Sequence, residues 1–206
     1  MTRTASAGTG SAGTAAAGEC ANGTASICAK LAPIVTYLDS LTGRADLDVL
    51  SRMLCGLDIR IEDIKSNCIF GQKGYKRNTI SKSDWYELLA LCWHSGDRTP
   101  IHDHQGVSCA FKVVQGTGTE IRFMPTPSGL ICPVGSVEMH PGYVCAANDA
   151  DIHEVANFQA PGQDLVTLHI YSPPIKKMNV YEFACPVPNE CADAYKSAPA
   201  DGEIPC

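Results

Sequence analysis

Residues 96–116 read GDRTPIHDHQGVSCAFKVVQG, and two histidines inside this stretch decide how the rest of the chain is understood. His102 and His104 lie two apart. In an extended strand, side chains at i and i+2 project from one face. Both imidazoles then point the same way, as a pair of metal ligands must. Imidazole suits zinc, copper, iron and nickel, so ligand type alone does not choose the metal. Taken alone, the pair fits an ordinary polar strand equally well, and a third ligand is needed to decide.

The chain around this stretch has 206 residues, enough for one domain with a real core. Its net charge is −6 with no basic block, so nucleic acid is a poor partner. No apolar run approaches the length of a membrane span. The eleven cysteines are odd in number and scattered, without a CxxC pair, and no secretory signal precedes them. They are expected to be mostly reduced thiols of a cytoplasmic protein, buried as small apolar side chains. Residues 1–26 are almost all Ala, Gly, Thr and Ser, which predicts a disordered low-complexity tail. Residues 27–206 are expected to form a single domain.

Within that domain, Leu31, Ile34, Val35, Leu38 and Leu41 recur at helical intervals, and Asp46 or Asp48 is placed to open a second helix ending at Gly56. A third short helix follows Asp58, and the whole of 27–66 reads as a helical cap. From about residue 69 to 184 the segments become short and rich in Val, Ile, Tyr, Phe and Thr, between Gly, Pro and Asn. Ten strands are predicted: 76–81, 85–93, 99–104, 108–114, 118–124, 135–140, 143–146, 151–156, 165–171 and 179–183. The class is therefore mainly β, a sandwich or barrel. Pro173-Pro174 follows the ninth strand, where a cis peptide is a candidate. Residues 185–206 hold four prolines and are expected to be irregular. Trp85 and Trp93 are assigned to core or cap contacts, and His94 and His140 to surface turns.

The intervals around the histidines are more specific than the histidines. Gly96, five residues, His102, one residue, His104, four residues, Cys109, six residues and Gly116 resemble the first cupin motif, with cysteine where many cupins carry a glutamate ligand. Gly142, His153 and Asn157 resemble the second, with Asn148, Asp149 and Ala150 in place of its usual Pro and Gly. This implies a cupin-type jelly-roll β-barrel with an N-terminal helical cap, and a ligand set of His102, His104 and His153. Three neutral imidazoles leave the full positive charge on the metal, a site suited to an anionic ligand such as a thiolate.

Further runs narrow the resemblance: Tyr75-Lys-Arg77-Asn78, Cys109 after the HDH, Ile152-His153-Glu-Val-Ala-Asn157, and Thr167-Leu-His169-Ile-Tyr171-Ser-Pro-Pro174. In this order, over residues 69–174, they resemble the cysteine dioxygenases, thiol dioxygenases of the cupin superfamily. The resemblance implies a non-haem Fe(II) enzyme, one iron per chain, that oxidises L-cysteine with O2 to cysteine sulfinate. It also implies a place in cysteine catabolism, towards taurine and sulfite. His102, His104 and His153 would hold the iron, and Arg77 the substrate carboxylate, with Tyr75 lining the same pocket. A guanidinium presents two parallel donors to a carboxylate.

In Val166–Tyr171, polar Thr167, His169 and Tyr171 alternate with apolar residues, so one face is polar and needs mutual hydrogen bonds. The family has a hydroxyl–His–Tyr relay here, commonly starting at serine, and its animal members, unlike many bacterial ones that carry glycine, have a thioether that would here join Cys109 to Tyr171. Met178 is expected to pack against a small substrate. No partner chain is implied, and a monomer is expected. Two alternatives remain: a dioxygenase of another small thiol acid such as 3-mercaptopropionate, whose enzymes tend to carry glutamine at the Arg77 position, and a non-catalytic metal-dependent cupin that binds a small molecule.

Overall fold

The computed structural model describes residues 27–147, 151–183 and 188–198. The tail expected over 1–26 and the turn at Asn148–Ala150 lie outside these residues. The helical layer comes first. Helix α1 (Ala32–Asp39) starts at a proline-containing first turn and buries Ile34 and Leu38. Helix α2 (Leu47–Cys55) is capped by Asp46, whose Oδ1 accepts from the Val49 amide at 3.1 Å, and it buries Leu50 and Leu54. The short α3 (Ile61–Ile64) is held at its start by Asp63, which accepts from the Arg60 amide at 2.9 Å.

Among the described residues ten strands follow: β1 (Lys76–Lys82), β2 (Glu87–Trp93), β3 (Ile101–His102), β4 (Ser108–Gln115), β5 (Gly118–Pro125), β6 (Ile131–Met139), β7 (Val144–Ala147), β8 (Ile152–Ala156), β9 (Leu165–Ser172) and β10 (Val180–Tyr181). They pair antiparallel in two five-stranded sheets, ordered β1-β2-β9-β4-β7 and β10-β3-β8-β5-β6. This is the mainly β architecture expected from the sequence, a cupin-type jelly roll with an N-terminal helical layer. Each predicted strand is present. The third is shorter than expected: Pro100 precedes it, and the chain leaves the strand at Asp103 for a turn at Gln105–Gly106.

The central strands of the first sheet are buried on both faces. Leu88, Ala90 and Cys92 of β2, with Val166, Leu168 and Ile170 of β9, pack on α1 and α2. Leu89, Leu91 and Trp93, with Tyr171, face the barrel interior beside Cys109, Phe111 and Val155. This explains why β2 reads as a continuous apolar run, ELLALCW. A polar clasp fixes the helical layer. Lys112 Nζ of β4 donates to the carbonyls of Leu54 and Leu57, at 2.9 and 2.8 Å, at the C-terminal end of α2 and just beyond it, where a cation is favoured. Ser108 Oγ donates to the Ala45 carbonyl at 2.8 Å, and the Ala45 amide donates to Ser172 Oγ at 2.8 Å.

One expectation is corrected. The C-terminal segment is not irregular throughout: Pro188–Ser197 forms helix α4. Proline is compatible with a helix that begins at that residue, since the first-turn amide has no intrahelical partner. The described cysteines are mostly reduced, as expected, with exceptions. Cys132 of β6 and Cys191 of α4 form a disulfide with Cα atoms 5.6 Å apart, and Cys55 is disulfide-bonded as well. A bridge across 59 residues leaves no local spacing pattern to read. Cys28, Cys68, Cys92, Cys109 and Cys145 are free. Among the described residues, no helix is long and apolar enough to cross a membrane.

Candidate active site

The barrel interior brings three imidazoles together. His102 ends β3 and pairs in register with His153 of β8, so the two side chains stand next to each other. His104 follows in the turn before β4. Between them, Asp103 points the other way. Its carboxylate accepts from Asn179 Nδ2 at 3.0 Å and from the Tyr181 hydroxyl at 2.8 Å, which ties the turn to β10. With Asp103 held outside, both flanking histidines face inward. The ligand atoms of His102, His104 and His153 all lie within 4.8 Å of one another, and all three residues are buried.

The hydrogen bonds fix which nitrogens face the centre. His102 Nδ1–H donates to the Pro100 carbonyl at 2.8 Å, and His153 Nδ1–H to the Asp151 carbonyl at 3.0 Å. A carbonyl only accepts, so Nδ1 carries the proton and Nε2 keeps its lone pair. His102 Nε2 then lies 3.1 Å from His104 Nε2. Burial, followed by the neighbouring His153, pushes the pKa of His102 down to about 4 and that of His104 down to about 3. Burial lowers His153 too. Imidazoles this close, with the His102 and His153 lone pairs turned to the centre, suit a cation, and among the described residues no group other than His102 meets His104 Nε2. A metal fits this donor set.

The polar face of β9 is also as expected. His169 Nε2 lies 2.9 Å from Thr167 Oγ1, and Tyr171 Oη lies 3.1 Å from His169 Nδ1. All three side chains are buried. Burial, then the positive charge of Arg77, holds the His169 pKa well below its ordinary value, and burial holds the Tyr171 phenol well above its own. The Tyr171 ring is 5.6 Å from that of His104, centroid to centroid.

Arg77 projects from β1 to the same cavity. Its guanidinium carbon lies 5.2 Å from the Tyr171 ring centroid, while Nη2 donates to Glu87 Oε2 at 3.1 Å. The cavity and the ion pair therefore share this side chain. Tyr75, just before β1, stacks on Trp93 at 4.3 Å and lines the cavity. Cys109 of β4 stands directly opposite Tyr171 of β9 in the sheet register. Directly opposed residues share a face, so the thiol and the phenol ring are neighbours inside the barrel, and burial pushes the thiol pKa up. Leu91, Val155, Ile175 and Met178 give the cavity apolar walls.

The candidate residues His102, His104, His153, Arg77, Tyr75, Cys109, His169 and Tyr171 thus line one cavity, and Thr167 stands buried behind it, bonded to His169. His94 and His140 sit on the surface, and His94 pairs with Asp164 at 2.8 Å. Three contributors were not singled out from the sequence: Asp103, Glu87 and Trp93, whose indole Nε1 lies 3.0 Å from Thr167 Oγ1. Asp103 carried a signal, since an acid between two inward histidines must face outward on a strand. Glu87 and Trp93 carried none beyond strand membership.

The cysteine dioxygenase type I family model matches residues 22–184. The chain is 30% identical over 119 residues to cysteine dioxygenase type 1 of Danio rerio, an alignment covering 55% of this chain and 58% of the relative. It is 26% identical over 152 residues to that of Bos taurus, covering 65% and 76%. The chain therefore spans little more than half the length of the first relative. Among solved structures, a double-stranded β-helix protein from Klebsiella pneumoniae aligns with a TM-score of 0.46 and 12% identity, over 58% of this chain and 88% of that one. The family match runs from ahead of α1 to the end of the barrel and takes in all three inward histidines, Arg77 and the Thr167–Tyr171 face: the chain belongs to the cysteine dioxygenase type I family.

Proposed function

We propose that the protein is a non-haem iron thiol dioxygenase that converts L-cysteine and O2 to cysteine sulfinate. One observation carries this reading: three neutral imidazoles, with the nearby Asp103 carboxylate turned away, share a cavity with the guanidinium of Arg77. In this reading His102, His104 and His153 hold one Fe(II), which supplies a redox centre where a thiolate and dioxygen meet. Because the ligands bring no negative charge, the site attracts an anionic sulfur more strongly than a site with a carboxylate ligand. Arg77 receives the substrate carboxylate in a bidentate pair. Tyr75 and Tyr171 border the bound amino acid, and the relay behind Tyr171 orients its phenol. The apolar walls at Leu91, Val155, Ile175 and Met178 limit the water that competes with the reactants. Both oxygen atoms go to sulfur, so thiolate plus O2 gives sulfinate without an external reductant.

Cys109 and Tyr171 are assigned a thioether on the same basis, their direct opposition across β4 and β9. Its formation removes the thiol hydrogen and one ring hydrogen, with two electrons passing to dioxygen.

The test supplies the iron-loaded full chain with L-cysteine or 3-mercaptopropionate and follows oxygen uptake and sulfinate. Cysteine is expected to consume one O2 per sulfinate. No uptake with either thiol at full iron loading rejects the enzyme reading. Faster turnover of 3-mercaptopropionate rejects cysteine as the substrate.

A further inference from the structure

Trp93, which reads in the sequence as core packing, stands at the head of the buried relay. An indole N–H only donates, and Trp93 Nε1 lies 3.0 Å from Thr167 Oγ1. The Thr167 hydroxyl has one hydrogen of its own to place. The residue is buried, and among the described residues the one acceptor within reach of that hydrogen is His169 Nε2, at 2.9 Å. Suppose instead that His169 carried its proton on Nε2 and donated to Oγ1. The oxygen would then receive two donors, and its own hydrogen would be buried without an acceptor, the costly case for a hydroxyl. The Trp93 side is closed to that hydrogen because an N–H already points there. The remaining arrangement satisfies every group: Thr167 donates to Nε2.

The consequence passes along the strand. His169 is buried and no acid is among its hydrogen-bond partners, so the ring is neutral and carries one proton. With Nε2 accepting, that proton is on Nδ1, which donates to Tyr171 Oη across 3.1 Å. The phenol oxygen therefore spends a lone pair on His169, and its own hydrogen is free to face the cavity shared with Arg77 and the three inward imidazoles. We propose that Trp93 is a positioning residue that sets the direction of the relay, Trp93 to Thr167 to His169 to Tyr171, so that Tyr171 offers the cavity a hydrogen-bond donor. The ligand it serves is an electron-rich acceptor, such as a thiolate sulfur or an oxygen atom reduced during the reaction. This role deepens the dioxygenase reading and rests on it for the ligand, whereas the direction of the relay does not.

The direction is readable without turnover. Long-range proton–nitrogen NMR of the 15N-histidine-labelled, metal-free full chain distinguishes the two neutral imidazole forms, and the chain has only six histidines to assign. His169→Gln identifies the signal. The wild-type ring is expected to carry its proton on Nδ1, and Thr167→Ser, which keeps the hydroxyl, is expected to preserve that form. Trp93→Phe opens one side of Oγ1, and the ratio of the two forms is expected to move roughly fivefold towards Nε2–H, the scale of one neutral hydrogen bond. If Phe leaves a disruptive void, benzothienylalanine at position 93 keeps the bicyclic shape without the donor. A wild-type His169 protonated on Nε2 overturns the proposal. So does a ratio unmoved by both position-93 replacements. Because no iron or substrate enters the measurement, its outcome is independent of the oxygen-uptake result.

Discussion

Arg77 carries two obligations at once, the ion pair with Glu87 and the wall of the cavity. A lysine there keeps the charge and loses the fork. Arg77→Lys is therefore expected to raise the KM for L-cysteine by about tenfold or more, the weight of one charge-assisted hydrogen bond, with iron content unchanged. Steady-state oxygen uptake beside a metal assay checks both halves, and an unchanged KM removes Arg77 from the carboxylate role. At the opposed pair Cys109 and Tyr171, intact mass after reduction of disulfides is expected to fall by about two hydrogens in chains that have turned over, and not in Tyr171→Phe, once the substitution is allowed for. Equal corrected masses argue against the thioether. At this scale the sequence was most informative where residues two apart had to share a face, as in His102 and His104 or Thr167, His169 and Tyr171. It was silent on Trp93, because a donor to Thr167 is supplied from a neighbouring strand, and strand pairing is not written in either segment.

At the scale of elements, the strands were legible for a physical reason. Each alternates or runs apolar between glycine, proline and asparagine breaks, and β2 and β9 needed only the knowledge that both faces are covered. Helix α4 and its disulfide were not legible. Four prolines in the last 22 residues outweighed a short helical run, and the Cys132–Cys191 bridge depends on β6 and α4 lying side by side. The turn between β3 and β4 yields a prediction of its own. Asp103 is the peg that holds it against Asn179 and Tyr181. Asp103→Ala is expected to weaken metal binding by about 10–100-fold, as loss of a supporting contact to a ligand typically does, while the far-ultraviolet circular dichroism stays unchanged. Metal titration reads the affinity, and wild-type affinity in the variant means that the turn holds its shape without the peg.

For the molecule as a whole, the bridge from β6 to α4 closes a loop of about 60 residues. A disulfide of this kind typically contributes roughly 2–4 kcal/mol. Cys132→Ser is expected to lower Tm by about 5–15 °C in a chain of this size, measured by calorimetry without reductant. An unchanged Tm would mean that the bridge adds no stability.

Strand β9 lies in the middle of its sheet, between β2 and β4, with helices on one side and the cavity on the other. Its amides have no edge from which to fray. Exchange with deuterium along 166–171 is therefore expected only through opening of the entire domain, at the same free energy as global unfolding, while β1 and β7 at the sheet margins exchange by smaller openings. Faster exchange at 166–171 than at the margins contradicts this. The strand that carries Thr167, His169 and Tyr171 is thus expected to be the last part of its sheet to open, whereas Arg77, packed over the same phenol ring, rides on the margin strand β1 and is released by smaller openings.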